Sequence, residues 1–313
     1  MKILVTGAAG FIGSHLSERL HAMGHEVIGV DNYSPYYDID LKNRNARVLK
    51  DKGISIIDLD INSYELAEHM PSHLDFVFHL AAHPGISDAS TFDNYFSNNF
   101  LGTQRLIEFV ESFEKQPYFV NIATSSIYGL EATYSETTPP KPASWYGVTK
   151  LAAEQLVLAK VRENKLKGTS LRLFSVYGPR ERPDKLYTRL IDCALNNTHF
   201  PLFEGSEKHL RSFTYVGDII DGMVSVIGKE DVCNGEIFNL GTEKESTTAK
   251  GIATVEGILE THIKKEIQPP RAGDQSRTKA NIDKARELLD YNPQTTLEEG
   301  LQQQVKWYKD SFM

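Results

Sequence analysis

KILVTGAAGFIGSHL, residues 2–16, starts as an apolar run, breaks at three evenly spaced glycines, and resumes with apolar residues at helical spacing. The run 2–7 reads as a buried strand, and Ile12, Leu16, Leu20 and Met23 repeat as one face of a helix. Between them Gly7, Gly10 and Gly13 follow the spacing G-x-x-G-x-x-G, with Phe11 and Ile12 filling the last interval. Glycines placed this way permit a tight turn and let the backbone approach a pyrophosphate at a helix N-terminus. The pattern alone is weak; its position between a strand and an amphipathic helix predicts a dinucleotide site.

The next strand, EVIGVD (26–31), ends on Asp31, 18 residues beyond Gly13. A carboxylate there can accept hydrogen bonds from an adenosine ribose and repels a 2′-phosphate. No arginine follows until Arg44, so NAD is expected rather than NADP. Further strand candidates are ISIIDLD (54–60), FVFHLAA (76–82), YFVNIAT (118–124) and TSLRLFSVY (169–177). Near-continuous apolar runs of this kind suit parallel strands covered on both faces. Strand–helix repetition predicts a Rossmann-like, doubly wound α/β sheet. After Tyr177 the regularity breaks at the charged, proline-bearing GPRERPD, and the last seventy or so residues are polar and helical. The expected division is an NAD-binding domain over 1–175 and 212–242, with a smaller C-terminal substrate lobe over 176–211 and 243–313.

Tyr146 and Lys150 stand four apart in SWYGVTKLAAEQLVLAK, so a helix brings them to one face. A neighbouring ammonium favours a phenolate, and the pair predicts a proton shuttle for hydride chemistry on a hydroxyl or ketone. Thr124 and Ser125 end the fifth strand, where ligands of open α/β sheets bind. Asp60 ends the third strand, where it fits an adenine amino group or a plain turn. Leu80, Ala81 and Ala82 end the fourth, small enough for a cofactor to lie over the sheet edge. Arg211 and Arg271 are candidates for bidentate phosphate binding. His79, His83 and Trp145 read as packing or supporting residues, since no metal-ligand spacing involves them.

A net charge of −8 over 313 residues argues against nucleic acid as a bulk partner. Two cysteines, Cys193 and Cys233, without CxxC spacing suit a reduced compartment, and no apolar stretch is long enough to span a bilayer. The expectation is a cytoplasmic protein without a metal.

With VTGAAGFIGSHL, VDNYS, HLAAHPG, NNFLGT, ATSSIYG, YGVTKLAAE, VYGPRERPD, RSFTYVGDI and RAGD…TKANIDKARELLDYNP in order, the chain resembles the extended short-chain dehydrogenase/reductases, in particular nucleoside-diphosphate-sugar epimerases. The resemblance implies that Tyr146, as phenolate, takes the proton of a sugar 4-hydroxyl while hydride passes to NAD. Lys150 lowers the Tyr146 pKa and holds the nicotinamide ribose, and Thr124 bonds the same sugar oxygen. The 4-keto sugar then turns over and receives the hydride on its other face. It also implies cofactor contacts from Asn32, Ile61, Asn99 and Phe174, with Ser175 and Ser126 on the substrate side. Leu202 and Phe203 fall by the base, and Arg211, Arg271 and Asp274 by the diphosphate and ribose. Dehydratases of this group carry Asp-Glu after the threonine, and UDP-glucuronate decarboxylases a glutamate; here Ser125 and Ser126 stand instead, which favours epimerisation.

VYGPRERPD is most similar to the UDP-glucuronate 4-epimerases, in which the arginine matching Arg182 lies near the substrate. Many of those carry an arginine where this chain has Ser87 in Gly85-Ile86-Ser87. UDP-glucose or an N-acetylhexosamine therefore stays open as the sugar, as does a decarboxylase. A net ketone reductase shares the whole cofactor apparatus and also stays open, whereas a non-catalytic NAD-binding regulator on the same fold is disfavoured by the intact Thr124, Tyr146 and Lys150. A homodimer through helices near 100–115 and 147–163 is a further implication of the resemblance.

Overall fold

The structure, a computed structural model, describes residues 1–86, 90–270 and 275–313. Seven parallel strands form its centre: β1 (Lys2–Thr6), β2 (Glu26–Asp31), β3 (Ser55–Asp58), β4 (Phe76–His79), β5 (Tyr118–Thr124), β6 (Gly168–Leu173) and β7 (Ile237–Leu240). Their order across the sheet is β3-β2-β1-β4-β5-β6-β7, so the direction of winding reverses between β1 and β4. All seven residues of β5 are buried, as a strand covered on both faces requires. The carboxyl ends of β1, β2, β4 and β5, at Thr6, Asp31, His79 and Thr124, open on one edge of the sheet at this reversal.

Helices α1 (Phe11–Ala22), α2 (Ile39–Asp51), α3 (Gly102–Glu111) and α4 (Trp145–Arg162) follow strands or the loops beyond them. Two cores result, one on each face. Ile3, Leu16, Phe78 and Leu173 belong to the first, and Leu4, Val77, Leu106 and Val157 to the second. Side chains at successive strand positions point to opposite faces, which is why Ile3 and Leu4 separate.

A third core holds Tyr177, Tyr187, Ile191, Leu202, Ile252, Leu301 and Tyr308, drawn from the segments around 177–202 and 252–308. A four-stranded sheet stitches Glu131–Ala132 to Arg277–Thr278, Leu210–Arg211 and Ser246–Thr247. One part of the expected lobe lies elsewhere. Ala280, Ile282, Ala285, Leu289 and Tyr291 pack into the first sheet core, because helix Asp283–Leu289 lays its apolar face on β7.

Candidate active site

The glycine turn is shaped by contact. Gly7 has φ +70°, and a Cβ on it would lie 2.9 Å from the Ala81 amide nitrogen. A Cβ on Gly13 would lie 2.1 Å from the Gly7 carbonyl oxygen, so α1 enters the turn closer than any side chain permits. Helix α1 begins after Gly10 with no side-chain cap and no acid in its first turn. Its N-terminal dipole and first amide groups are therefore suited to a pyrophosphate.

Asp31 is buried and organises this turn. It accepts from the Ala9 amide (3.1 Å) and the Tyr33 amide (2.9 Å), and pairs with Lys42 Nζ at 3.4 Å. A carboxylate offers about four lone-pair sites, which leaves capacity for a ribose hydroxyl. Lys42, itself buried in α2, escaped the sequence reading because nothing in its spacing marks it. Asn32 donates to Asp60 (2.9 Å), and Asp60 also accepts from the Asn62 amide and side chain, so Asp60 holds a turn together. The Ile61 side chain packs in the second core beneath Gly102. Thr6 Oγ1 accepts from the amides of Leu80 (3.2 Å) and Ala81 (3.1 Å), fixing the end of β4 beside β1; half-buried Ala82 follows. His79 bridges Thr6 and Thr103, and burial drives its pKa down to about 3, with Lys150 adding to the effect.

Thr124 ends β5 and accepts from the Ser126 amide at 3.2 Å, with its hydroxyl 3.3 Å from that of Ser126. Ser125 is buried beside it and Ser126 half-buried. Ser144 caps α4 by accepting from the Gly147 amide (3.1 Å), and this sets Tyr146 and Lys150 on the first two turns. Lys150 is 2% exposed; burial lowers its pKa to about 8, against the pull of Glu154 one turn further on. Burial raises the Tyr146 phenol above its ordinary value, opposed by a hydrogen bond with Thr124 and by the charge of Arg182. The Arg182 charge thus acts on the phenol in the direction of the phenolate. One turn beyond Lys150, Glu154 holds Arg172 through two bonds of 2.9 and 2.7 Å. Arg172 also donates to the Tyr128 hydroxyl (2.7 Å), which donates to Asn239 (2.9 Å).

Asn99 lies on a π-helical stretch, Phe96–Leu101, whose wider turn rotates it inward. Its side chain accepts from the His83 amide (2.7 Å) and donates to the His83 carbonyl and Thr149. It therefore ties the loop after β4 to α4. Phe174, expected at the cofactor, is fully buried against Tyr128 and Gly241. Ser175 stays half-buried at the same bend, its carbonyl accepting from Thr214. In strand Phe200–Phe203 alternation sends Leu202 into the lobe core and leaves Phe203 partly exposed. Arg211 pairs in register with Thr278. Arg271 and Asp274 fall outside the described residues.

Arg182 is buried near the phenol, donating to the Pro84 carbonyl and Asp184, both at 3.2 Å. Arg180 clamps the same loop to α1 through Ser14 (3.2 Å) and Glu18 (3.0 Å). A small cleft beside the catalytic segment is lined by Ile86, Ser126, Gly129, Ala143, Ser144 and Gln275.

The sequence profile of the NAD dependent epimerase/dehydratase family matches residues 3–241. The chain belongs to that family. Membership in the NAD dependent epimerase/dehydratase family makes NAD the cofactor, and the glycine cradle, uncapped α1 and Asp31 fit it on geometry. Among family relatives, "Uncharacterized UDP-glucose epimerase YtcB" of Bacillus subtilis strain 168 is 37% identical, covering 100% of this chain and 99% of the relative. UDP-glucuronate 4-epimerase 4 of Arabidopsis thaliana is 36% identical over 98% of this chain and 75% of its own length. The UDP-glucuronic acid 4-epimerase of Bacillus cereus, solved with UDP-glucuronic acid and NAD, superposes with a TM-score of 0.94. It shares 35% identity, with both chains covered completely. The UDP-glucose 4-epimerase of Thermotoga maritima, solved with UDP-glucose, gives 0.89 at 30% identity, again with both chains covered completely.

Proposed function

We propose that this protein is an NAD-dependent 4-epimerase of a UDP-sugar, interconverting UDP-glucuronate and UDP-galacturonate. The observation that carries the reading is the convergence of Thr124, Tyr146 and Lys150 at the end of β5, with Ser125, Ser126 and Arg182 beside them and no acid in the serine positions. NAD, when held by the glycine turn and Asp31, would supply the hydride acceptor and donor for C4. Tyr146 holds the proton of the 4-hydroxyl and Thr124 orients that oxygen. Lys150, kept partly charged by Glu154, supplies positive charge behind them. A 4-keto uronic acid is a β-keto acid and loses carbon dioxide readily, so its carboxylate must be held out of the cleaving alignment. Serine hydroxyls and the Arg182 fork can do this. Phe203, Arg211, Arg271 and Asp274 are proposed around the nucleotide, with residues 176–211 and much of 243–313 forming that lobe.

A second reading, a UDP-glucose 4-epimerase, is favoured by Ser87, a neutral residue where many glucuronate epimerases have an arginine. UDP-glucuronate, UDP-glucose and UDP-N-acetylglucosamine, each incubated without added NAD and followed by proton NMR, separate the readings. Turnover of UDP-glucuronate to the galacto epimer without carbon dioxide release is expected. Tyr146→Phe should lower the rate by about 10³-fold while NAD stays bound. Turnover of UDP-glucose alone, or a near-normal Tyr146→Phe, defeats the proposal.

We also propose a homodimer. Phe92, Phe96, Leu101, Trp145 and Val148 expose a continuous apolar patch, in which Phe92 stacks on Phe96 and meets Trp145 edge-on. No described helix is long and apolar enough to cross a membrane. The cytoplasm is the proposed compartment, in keeping with two buried free thiols, Cys193 and Cys233.

A further inference from the structure

We infer that Tyr36 positions Arg182 in the sugar site, and so helps to decide whether a sugar bearing a carboxylate is recognised. This deepens the uronate reading and rests on it. Tyr36 lies in the loop after β2, beyond the Tyr33 amide that Asp31 anchors. Its ring faces the Arg182 guanidinium, with the central carbon 5.3 Å from the ring centroid. The same ring stands 4.4 Å from His83, edge-on, and His83 stands 4.9 Å from Tyr95. Tyr95 in turn lies 6.2 Å from Tyr146, so an unbroken row of rings runs from Arg182 to the catalytic phenol.

The row is anchored at both ends of the loop after β4. The His83 amide donates to Asn99 at 2.7 Å, and the His83 ring bonds Ser90, also at 2.7 Å. Gly85 has φ +78°, and a Cβ on it would lie 3.0 Å from Arg182 Nη2, so this glycine makes room for the guanidinium.

A guanidinium carries five N–H donors in its plane. Pro84 and Asp184 engage its two ends, and Asp184 competes with any incoming carboxylate for the same fork. An aromatic face attracts the cation from above the plane and consumes no donor. Tyr36 therefore restrains Arg182 while leaving edge positions open to a ligand carboxylate. The same contact adds nothing for a neutral hydroxymethyl group.

The test compares the NAD-loaded wild type with Tyr36→Leu and Tyr36→Phe by calorimetric titration with UDP-glucuronate and with UDP-glucose. NAD content is measured separately after denaturation. Tyr36→Leu is expected to raise the Kd for UDP-glucuronate about tenfold, the range of a partly desolvated cation–π contact. The Kd for UDP-glucose should move less than about twofold, and Tyr36→Phe should restore uronate binding. Tyr36→Met replaces the leucine variant if the latter fails to retain NAD. A wild type that prefers UDP-glucuronate but loses none of that preference in Tyr36→Leu overturns the role of Tyr36 alone. A wild type that binds both sugars equally overturns the uronate reading, and this inference with it.

Discussion

His79 shows how a residue near a site can serve the fold instead of the chemistry. It lies between Thr6 and Thr103, and burial holds its ring neutral down to about pH 3. The unfolded chain binds that proton near pH 6.5, so between these values the unfolded state carries more protons than the native one. Stability contributed by the neutral ring is present above about pH 6.5 and is lost as pH falls toward 3. At pH 4.5 the loss is about 3 kcal/mol for this one group. Urea unfolding at pH 7 and pH 4.5 should show a clearly smaller pH effect in His79→Gln; identical slopes would remove the assignment. The sequence marked His79 as a supporting residue, but its two threonine partners come from distant segments and cannot be read from spacing. The same holds for Tyr36, which nothing in DNYSPYYD singles out as a neighbour of Arg182.

Helix α4 carries Tyr146 and Lys150, proposed to act on the sugar, on its first two turns and a buried ion pair on its third. Glu154 is fully buried, and its partner Arg172 projects from β6. Removing one member leaves a charge without compensation in the interior, at a cost of about 3–5 kcal/mol. Glu154→Ala should therefore lower the urea unfolding free energy by about that amount. Adding Arg172→Leu should recover a good part of it; no recovery in the double variant would mean packing, not charge, was lost. Spacing alone predicts the helix and the Tyr146–Lys150 face. It does not reveal that Lys150 is nearly sealed from solvent, because that depends on β5, β6 and the π-helical stretch around Asn99. Spacing likewise does not reveal that burial and Arg182 act on the Tyr146 phenol, because local spacing gives separation along a helix and not the surroundings of its side chains.

At the scale of the whole molecule, the apolar patch on 92–101 and α4 has the composition of an interface. Phe96→Glu is expected to shift the protein from dimer to monomer at micromolar concentration, read by light scattering. A wild type that runs as a monomer refutes the assembly.

Strand periodicity, the glycine turn and the order of motifs were enough to determine the parallel sheet and its cofactor turn, and to single out the proposed trio of Thr124, Tyr146 and Lys150. Each is encoded in residues close together in the chain, where backbone sterics and side-chain period dominate. Only the tertiary structure decided that Phe174, Leu202 and Ile61 face cores, that Asn99 ties two elements, and that 280–291 packs on the sheet. It alone set Tyr36 against Arg182. Such contacts join separate segments of the chain, as Asn99 with Thr149 or Tyr36 with Arg182, and which face of a strand or helix they occupy follows from packing that no local pattern contains.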